Sequence, residues 1–137
     1  MDTITIDHDI LLAYVQAFSF PEGVMAAHEQ LHVHFPFPGD GRKFFGLSRP
    51  EDAGAISYKA AAEIRSEQER HAKGLPVLML KSGNYYSITI RDYMQQITAI
   101  GKAFQQLLSQ SGIDPEGYCV ELYLNEKDVQ CMVRMAG

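Results

Sequence analysis

The chain has 137 residues, 46% of them hydrophobic and 21% charged, with a formal charge of −5. That is enough chain for one domain with a real core, and the scattered Lys and Arg argue against direct nucleic-acid binding, which needs clustered cations. No apolar run approaches the ~20 residues that span a bilayer, and the acidic opening Met1-Asp2-Thr3-Ile4 is unlike a signal peptide.

Cys119 and Cys131 are too few for a secreted disulfide scaffold, so reduced thiols and a cytoplasmic protein are expected.

In chain order, Leu11 to Phe18 reads as a strand. Ser19 then offers a helix cap, Pro21 suits a first turn, and Glu22 completes an S-x-x-E capping box. The helix that follows is expected from Pro21 to about His34, with Val24, Ala27, Leu31 and Phe35 on one face and Pro36 and Pro38 stopping it. Lys43 to Ser48 and Ala55 to Ala62 follow as strands. Lys59 to Lys73 has strong helix propensity, so the expectation of strand to about Ile64 and then an exposed linker lets tertiary context override it.

Asn84 to Ile90 alternates as a strand and ends at Asp92, a good N-cap with Gln95 placed as its capping-box partner. A helix from about Tyr93 to Ser111 carries Met94, Ile97, Ile100, Phe104, Leu107 and Leu108 on one stripe. Gly112 and Pro115 end it. Tyr118 to Leu124 and Val129 to Met135 form a hairpin around Asn125-Glu126-Lys127-Asp128. The order β-α-β-β thus occurs twice, about 8–64 and 76–137, with a linker at 65–75. The expected fold is α+β, a tandem βαββ repeat with helices on one face of an antiparallel sheet and a ligand cleft on the other.

Period-two alternation divides each strand between two faces. Val120, Leu122 and Leu124 oppose Cys119, Glu121 and Tyr123; Tyr86, Ile88 and Ile90 oppose Tyr85, Ser87 and Thr89; Ala13, Val15 and Ala17 oppose Tyr14, Gln16 and Phe18. The aliphatic sets suit a covering helix, and the tyrosine-bearing sets suit either water or a ligand. Tyrosines around one carboxylate would favour a flat organic cation, through cation–π contacts of about 0.5–2 kcal/mol each and a counter-charge for Glu121. Arg134 on the neighbouring strand is a rival partner for that carboxylate.

Several stations of the chain resemble the GyrI-like effector-binding domains. They are Ser82-Gly83-Asn84-Tyr85 entering a strand, Tyr93 opening a helix, Phe104, Leu107 and Leu108 along it, Gly112-Ile113-Asp114-Pro115 leaving it, and Glu121-Leu122-Tyr123 as an E-x-Y strand. Phe44-Phe45-Gly46 and Tyr58-Lys59-Ala60 are their first-half counterparts. The resemblance implies a bacterial, stand-alone binding protein for a small amphipathic molecule, cationic in the family's multidrug-sensing members, with a link to transcription regulation or drug response. It implies Glu121 as the cleft glutamate, with Tyr123, Tyr85, Tyr14, Phe45, Tyr58 and Tyr93 as ligand-binding walls. It implies no cofactor, and leaves a protein partner such as gyrase, or a homodimer, open.

Some members hydrolyse reactive cyclopropane-bearing compounds, which here would use Glu121 as base. The lack of tryptophan and a last strand without the usual T-E and closing proline weigh against that alternative. A different enzyme is spelled by His28-Glu29-Gln30-Leu31-His32, the H-E-x-x-H pattern of zinc hydrolases. It has no third ligand at a recognised spacing and sits on a short, proline-broken helix. Boundary histidines are the expectation, and no metal is assigned.

Overall fold

The computed structural model describes residues 1–37, 41–51, 54–69, 74–96 and 98–137. In chain order its elements are β1 (Asp2–Ile6), β2 (Ile10–Gln16), α1 (Val24–His34), β3 (Phe44–Pro50), β4 (Ile56–Glu63), β5 (Val77–Leu80), β6 (Gly83–Ile90), α2 (Ala99–Leu108), β7 (Cys119–Tyr123) and β8 (Val129–Arg134). The tandem is present as β2-α1-β3-β4 followed by β6-α2-β7-β8. The strands form a single eight-stranded sheet in the order β1-β6-β8-β7-β3-β4-β2-β5, antiparallel at every step.

Two of these strands, β1 and β5, have no counterpart in the sequence reading, and they exchange places. β1 leads into β2 but pairs with β6 of the other unit, from Asp2↔Ser87 to Ile6↔Gly83. β5 leads into β6 but pairs with β2, from Ile10↔Leu80 to Ala13↔Val77. Each unit therefore lends the other an edge strand. Both strands are short and only partly apolar (Asp2-Thr3-Ile4-Thr5-Ile6 and Val77-Leu78-Met79-Leu80), so neither announces itself in isolation.

The two units meet where β3 pairs with β7, and Gly46↔Glu121 is the middle of five partner pairs along that seam. Curling of the sheet brings Leu12, Phe45, Leu47, Leu80, Tyr85, Val120 and Met132 into one cluster on the inner face, which no helix covers. The outer face carries the helices. Ala27 and Leu31 of α1 pack on Ala60, Ala62 and Phe44, and Ala103 and Leu107 of α2 pack on Val129, Cys131 and Val133. Both faces of the sheet are therefore dry.

This packing explains why the helix-prone segment from Lys59 stays a strand. Ala60, Ala61 and Ala62 are all fully buried, and their small side chains let α1 approach one face while the inner cluster closes on the other. The strand ends at Glu63, and 70–73 lie outside the described residues, as do 38–40 and Ile97.

Both helix starts shift inward from the expected positions. α1 begins at Val24 with Gly23 as its cap and no side-chain cap bond. The Ser19–Glu22 box does not form, and the buried Ser19 hydroxyl has no hydrogen-bond partner. The second helix begins at Ala99, after a short 3₁₀ turn at Tyr93–Gln95. Asp92 makes no cap bond because it sits at φ 50°, with its N–H given to Asp128 and the Tyr93 N–H given to the Lys127 carbonyl. Those bonds fasten the turn to the β7–β8 hairpin instead of extending the helix. Met94 consequently faces solvent.

Among the described residues no helix is long and apolar enough to cross a membrane.

The adjacent leucines of α2 separate the two environments: Leu107 is fully buried and Leu108 is 54% exposed. Leu107→Ala is expected to lower unfolding stability by about 2–5 kcal/mol, and Leu108→Ala by no more than about 0.5 kcal/mol. Urea midpoints at unchanged slope measure the contrast.

Candidate functional site

Glu121 lies near the middle of the sheet and faces the helices, not the inner cluster. The face expected for Glu121, the one away from the covering helices, is corrected on this point. In β7 the aliphatic residues Val120 and Leu122 join the inner cluster, while Cys119 and Tyr123 join the helix-side packing. The alternation was real, but a curled sheet with two dry faces gives its aliphatic side no fixed relation to the helices.

The carboxylate is held by phenols from two strands. Tyr123, two residues on from Glu121 and on the same face, donates to Oε1 at 2.6 Å. Tyr58 of β4 donates to the same oxygen at 2.8 Å. To reach it, the Tyr58 ring passes over β3 at Gly46. A methyl group there would overlap both the Tyr58 hydroxyl and Glu121 Oε1, so the seam needs a residue without a side chain at this position. Tyr58 is in turn contacted by His28 Nε2 of α1 at 2.8 Å. A phenol has one proton to give, and Tyr58 gives it to Glu121. His28 must therefore donate Nε2–H to the Tyr58 oxygen, which fixes its tautomer.

Charges follow from this enclosure. Burial, with His32 nearby as a smaller cause, pushes His28 down to about 4, so it is neutral at pH 7. Burial raises the Glu121 carboxyl, opposed by the bonds from Tyr123 and Tyr58. Burial and the nearby carboxylate raise both phenols, which keeps them protonated donors. Burial, with Glu121 adding to it, also pushes Cys119 to about 11 and Cys131 to about 12, so neither free thiol offers a thiolate at neutral pH.

Arg134 does not neutralise Glu121. Its guanidinium pairs with Asp114 at 3.0 Å and donates to the Ser82 carbonyl, on the other side of the sheet. Among the described residues no cation pairs with Glu121, and no donor reaches its second oxygen.

Aromatic rings surround the carboxylate on the helix side. Tyr93 lies 5.9 Å from Tyr123, His28 packs edge-on to Tyr123 at 5.3 Å, and Phe20 stacks on Tyr58 at 5.8 Å. Phe20 is 40% exposed, so one side of its ring meets solvent. Beside Tyr123 a cavity of about 590 Å³ opens between Phe37, Arg42 and the β7–β8 loop.

Of the seven residues expected to line one cleft, Glu121, Tyr123, Tyr58 and Tyr93 come together here. Tyr14, Phe45 and Tyr85 belong to the inner cluster on the other face. Sequence reasoning missed three participants: Gly46, Phe20 and His28 in its hydrogen-bonding role. Gly46 alone had a signal, as the residue of Phe44-Phe45-Gly46 that lacks a side chain.

The zinc pattern disperses. His28 Nε2 is occupied by Tyr58, His32 Nδ1 lies 3.0 Å from the Phe35 carbonyl, and Glu29 is exposed. Among the described residues no three His, Cys, Asp or Glu side chains converge.

No family model matches the sequence, and no curated protein does. Solved structures do match the fold. The structure of SAV2435 bound to tetraphenylphosphonium superposes with a TM-score of 0.69 at 15% identity, covering 99% of this chain and 93% of that one. A Vibrio cholerae integron cassette protein gives 0.70 at 13% identity, covering 98% and 94%. A Staphylococcus aureus protein described as a putative bacterial transcription regulation protein gives 0.64 at 16% identity, covering 99% and 97%. The chain has the GyrI-like fold. In this GyrI-like frame, the seam between the repeats is where the E-x-Y strand places Glu121 and Tyr123 against Tyr58.

The state of His28 is directly measurable. An NMR titration should place its midpoint near pH 4, and a midpoint above ~6, close to the ordinary histidine value, would show a solvated ring. The same shift has a stability consequence. Between pH 6.5 and about 4 the unfolded chain takes up a proton that folded His28 refuses, so stability falls as pH drops through that window. Glu121, shifted upward, works in the opposite direction, since the folded state binds its proton more readily. His28→Gln should therefore flatten the acid-side loss in a pH series of melting temperatures.

Proposed function

We propose that this chain is a binding module for an amphipathic organic cation, held on the helix-bearing face with Glu121 as its charge anchor. The observation that carries this reading is a carboxylate in a mostly aromatic enclosure, with both donors on one oxygen and, among the described residues, no cation on the other. A carboxylate so placed lacks most of its hydration, and an incoming cation supplies the missing counter-charge. Tyr123, Tyr58, Tyr93 and Phe20 supply ring faces for apolar groups, each good contact contributing about 0.5–2 kcal/mol.

The module acts as one domain over 1–137, with 65–75 joining its units, and works in the cytoplasm as a sensor or sequestering protein in regulation or drug response. The tetraphenylphosphonium held by one structural neighbour and the regulatory description of another support this reading. The low charge density of a lipophilic cation suits a site that offers rings and one anion rather than a set of directed hydrogen bonds.

Tetraphenylphosphonium is the test ligand, followed by calorimetry. Glu121→Gln is expected to weaken binding at least about ten-fold, equivalent to about 1.4 kcal/mol, while Asp7→Asn at an exposed position between β1 and β2 leaves it unchanged. Affinity of the unaltered protein should rise with pH as the Glu121 carboxyl ionises and then level, because protonation competes with the cation; the Gln variant should show no such slope. Tetraphenylborate, the anion of the same shape, should not bind. Equal affinities in Glu121→Gln and the unaltered protein would remove the anchor role.

A further inference from the structure

The inner face carries its own unbalanced charge. Lys59, on β4 next to Tyr58 in the chain but pointing the opposite way, is only 8% exposed. Its amine lies 5.4 Å from the Tyr14 ring centre and 5.5 Å from that of Tyr118. Among the described residues it has no hydrogen-bond acceptor and no carboxylate in ion-pairing range. Burial pulls its pKa down, Arg49 adds to this, and Glu51 opposes them. The stem of Lys59 is buried while its amine keeps some access to water, so the ammonium loses part of its hydration to ring faces without gaining a counter-charge.

A second cation stands beside it. The Arg49 guanidinium stacks 4.4 Å from the Tyr118 ring centre, and among the described residues its hydrogen bond is a long one, 3.3 Å, to the Glu116 carbonyl. Tyr118 thus has two cations within reach of one ring. Next to it a cavity of about 220 Å³ is walled by Arg49, Leu80, Tyr85, Tyr118 and Val120. Arg134 also borders the cavity, but Asp114 already balances its charge. The hollow thus combines Leu80, Val120 and the Tyr85 and Tyr118 rings with a charged rim in which Arg49, Lys81 and Arg134 outnumber Asp114 and Glu116, and Lys59 stands beside Tyr118 outside that lining.

We propose that this inner face is a second binding site, for a small aromatic oxyanion whose carboxylate or phosphate group lies between Lys59 and Arg49 while its ring enters the cavity beside Tyr118. The oxyanion would give the Lys59 amine the acceptor it lacks and the Arg49 fork a planar partner, which is the pairing guanidinium groups favour. Tyr85, which the helix-side site leaves unused, walls the cavity, and Tyr14 flanks the Lys59 amine. The sheet separates this site from Glu121, so the two faces would select ligands of opposite charge.

The experiment uses the full chain with 2-naphthoate, 2-naphthyl phosphate, inorganic phosphate and uncharged 2-naphthylmethanol, followed by calorimetry and by tyrosine fluorescence, which no tryptophan obscures. Saturable one-to-one binding is expected for at least one naphthyl oxyanion, weakened ten-fold or more in both Lys59→Met and Arg49→Gln. Binding of only one naphthyl oxyanion supports the site and identifies its headgroup. Inorganic phosphate should bind more weakly than naphthyl phosphate, and the alcohol not at all. Lys59→Met should also melt at a higher temperature, since it keeps the buried stem and removes the unpaired charge. If Lys59→Met fails to fold, Arg49→Gln at its half-exposed position carries the comparison. Absence of binding by both naphthyl oxyanions overturns the proposal, as does equal affinity for the alcohol or for the variants. Tetraphenylphosphonium binding should be the same in these variants as in the unaltered protein, so failure here is separable from failure at Glu121.

Discussion

Two phenol protons directed at one oxygen of Glu121 are the constraint around which the helix-bearing face is arranged. They require Tyr58 to cross β3, and that crossing requires Gly46. They leave Tyr58 with no proton for His28, so His28 must be the donor, and burial keeps its ring neutral. They also make the carboxylate one-sided, saturated at Oε1 and, among the described residues, without a donor at Oε2. Tyr58 and His28 come from the first repeat, Glu121 and Tyr123 from the second. The hydrogen bonds therefore cross the seam and tie the units together as well as shaping the site.

The exchange of β1 and β5 works on the same seam from the edges. Without it, the units would share only the β3–β7 pairing; with it, each unit also completes its sheet with a strand from the other. An edge strand borrowed across a pseudo-symmetric pair makes separate unfolding of either unit unfavourable, because each would expose a new edge and part of the inner cluster. Ile4 and Ile6 of β1 and Leu78 and Leu80 of β5 all pack on that cluster, so the exchange also helps close the curl that keeps the inner face dry.

How much of this is legible in the sequence depends on whether a residue's neighbours are local. The repeat, the hairpin after Leu124 and the strand ending near Ile64 follow from alternation and turn chemistry, and the structure has them. The start of α2 does not follow, because Asp92 looks like a cap until Asp128 and Lys127, some 36 residues away, claim the backbone donors around it. The faces were half legible. Ile88 and Val15 mark the helix side as an aliphatic pattern suggests, but in β7 the same pattern marks the inner side, since water is excluded from both. Tyr14, Phe45 and Tyr85 were consequently grouped with a glutamate they do not face. His28 drew attention as a metal ligand because i, i+4 spacing is visible in sequence, whereas a phenol from 30 residues away is not.

Strand alternation also explains why Glu121 and Lys59 do not neutralise each other. Tyr58 reaches over Gly46 toward the helices, so its chain neighbour Lys59 must point to the inner face, where the nearest groups are Tyr14, Tyr118 and Arg49. A lysine at position 58 could have met Glu121 and closed a stable ion pair; a tyrosine there holds the carboxylate without cancelling its charge. Each face is left with a charge that burial disfavours, and a well-packed apolar pair in their places would be at least as stable. Charge on both sides of one sheet, each beside aromatic rings, is destabilising for the empty protein and would be offset by a ligand of opposite charge. That difference between empty and occupied states is the free energy a binding module has available for selecting its ligand.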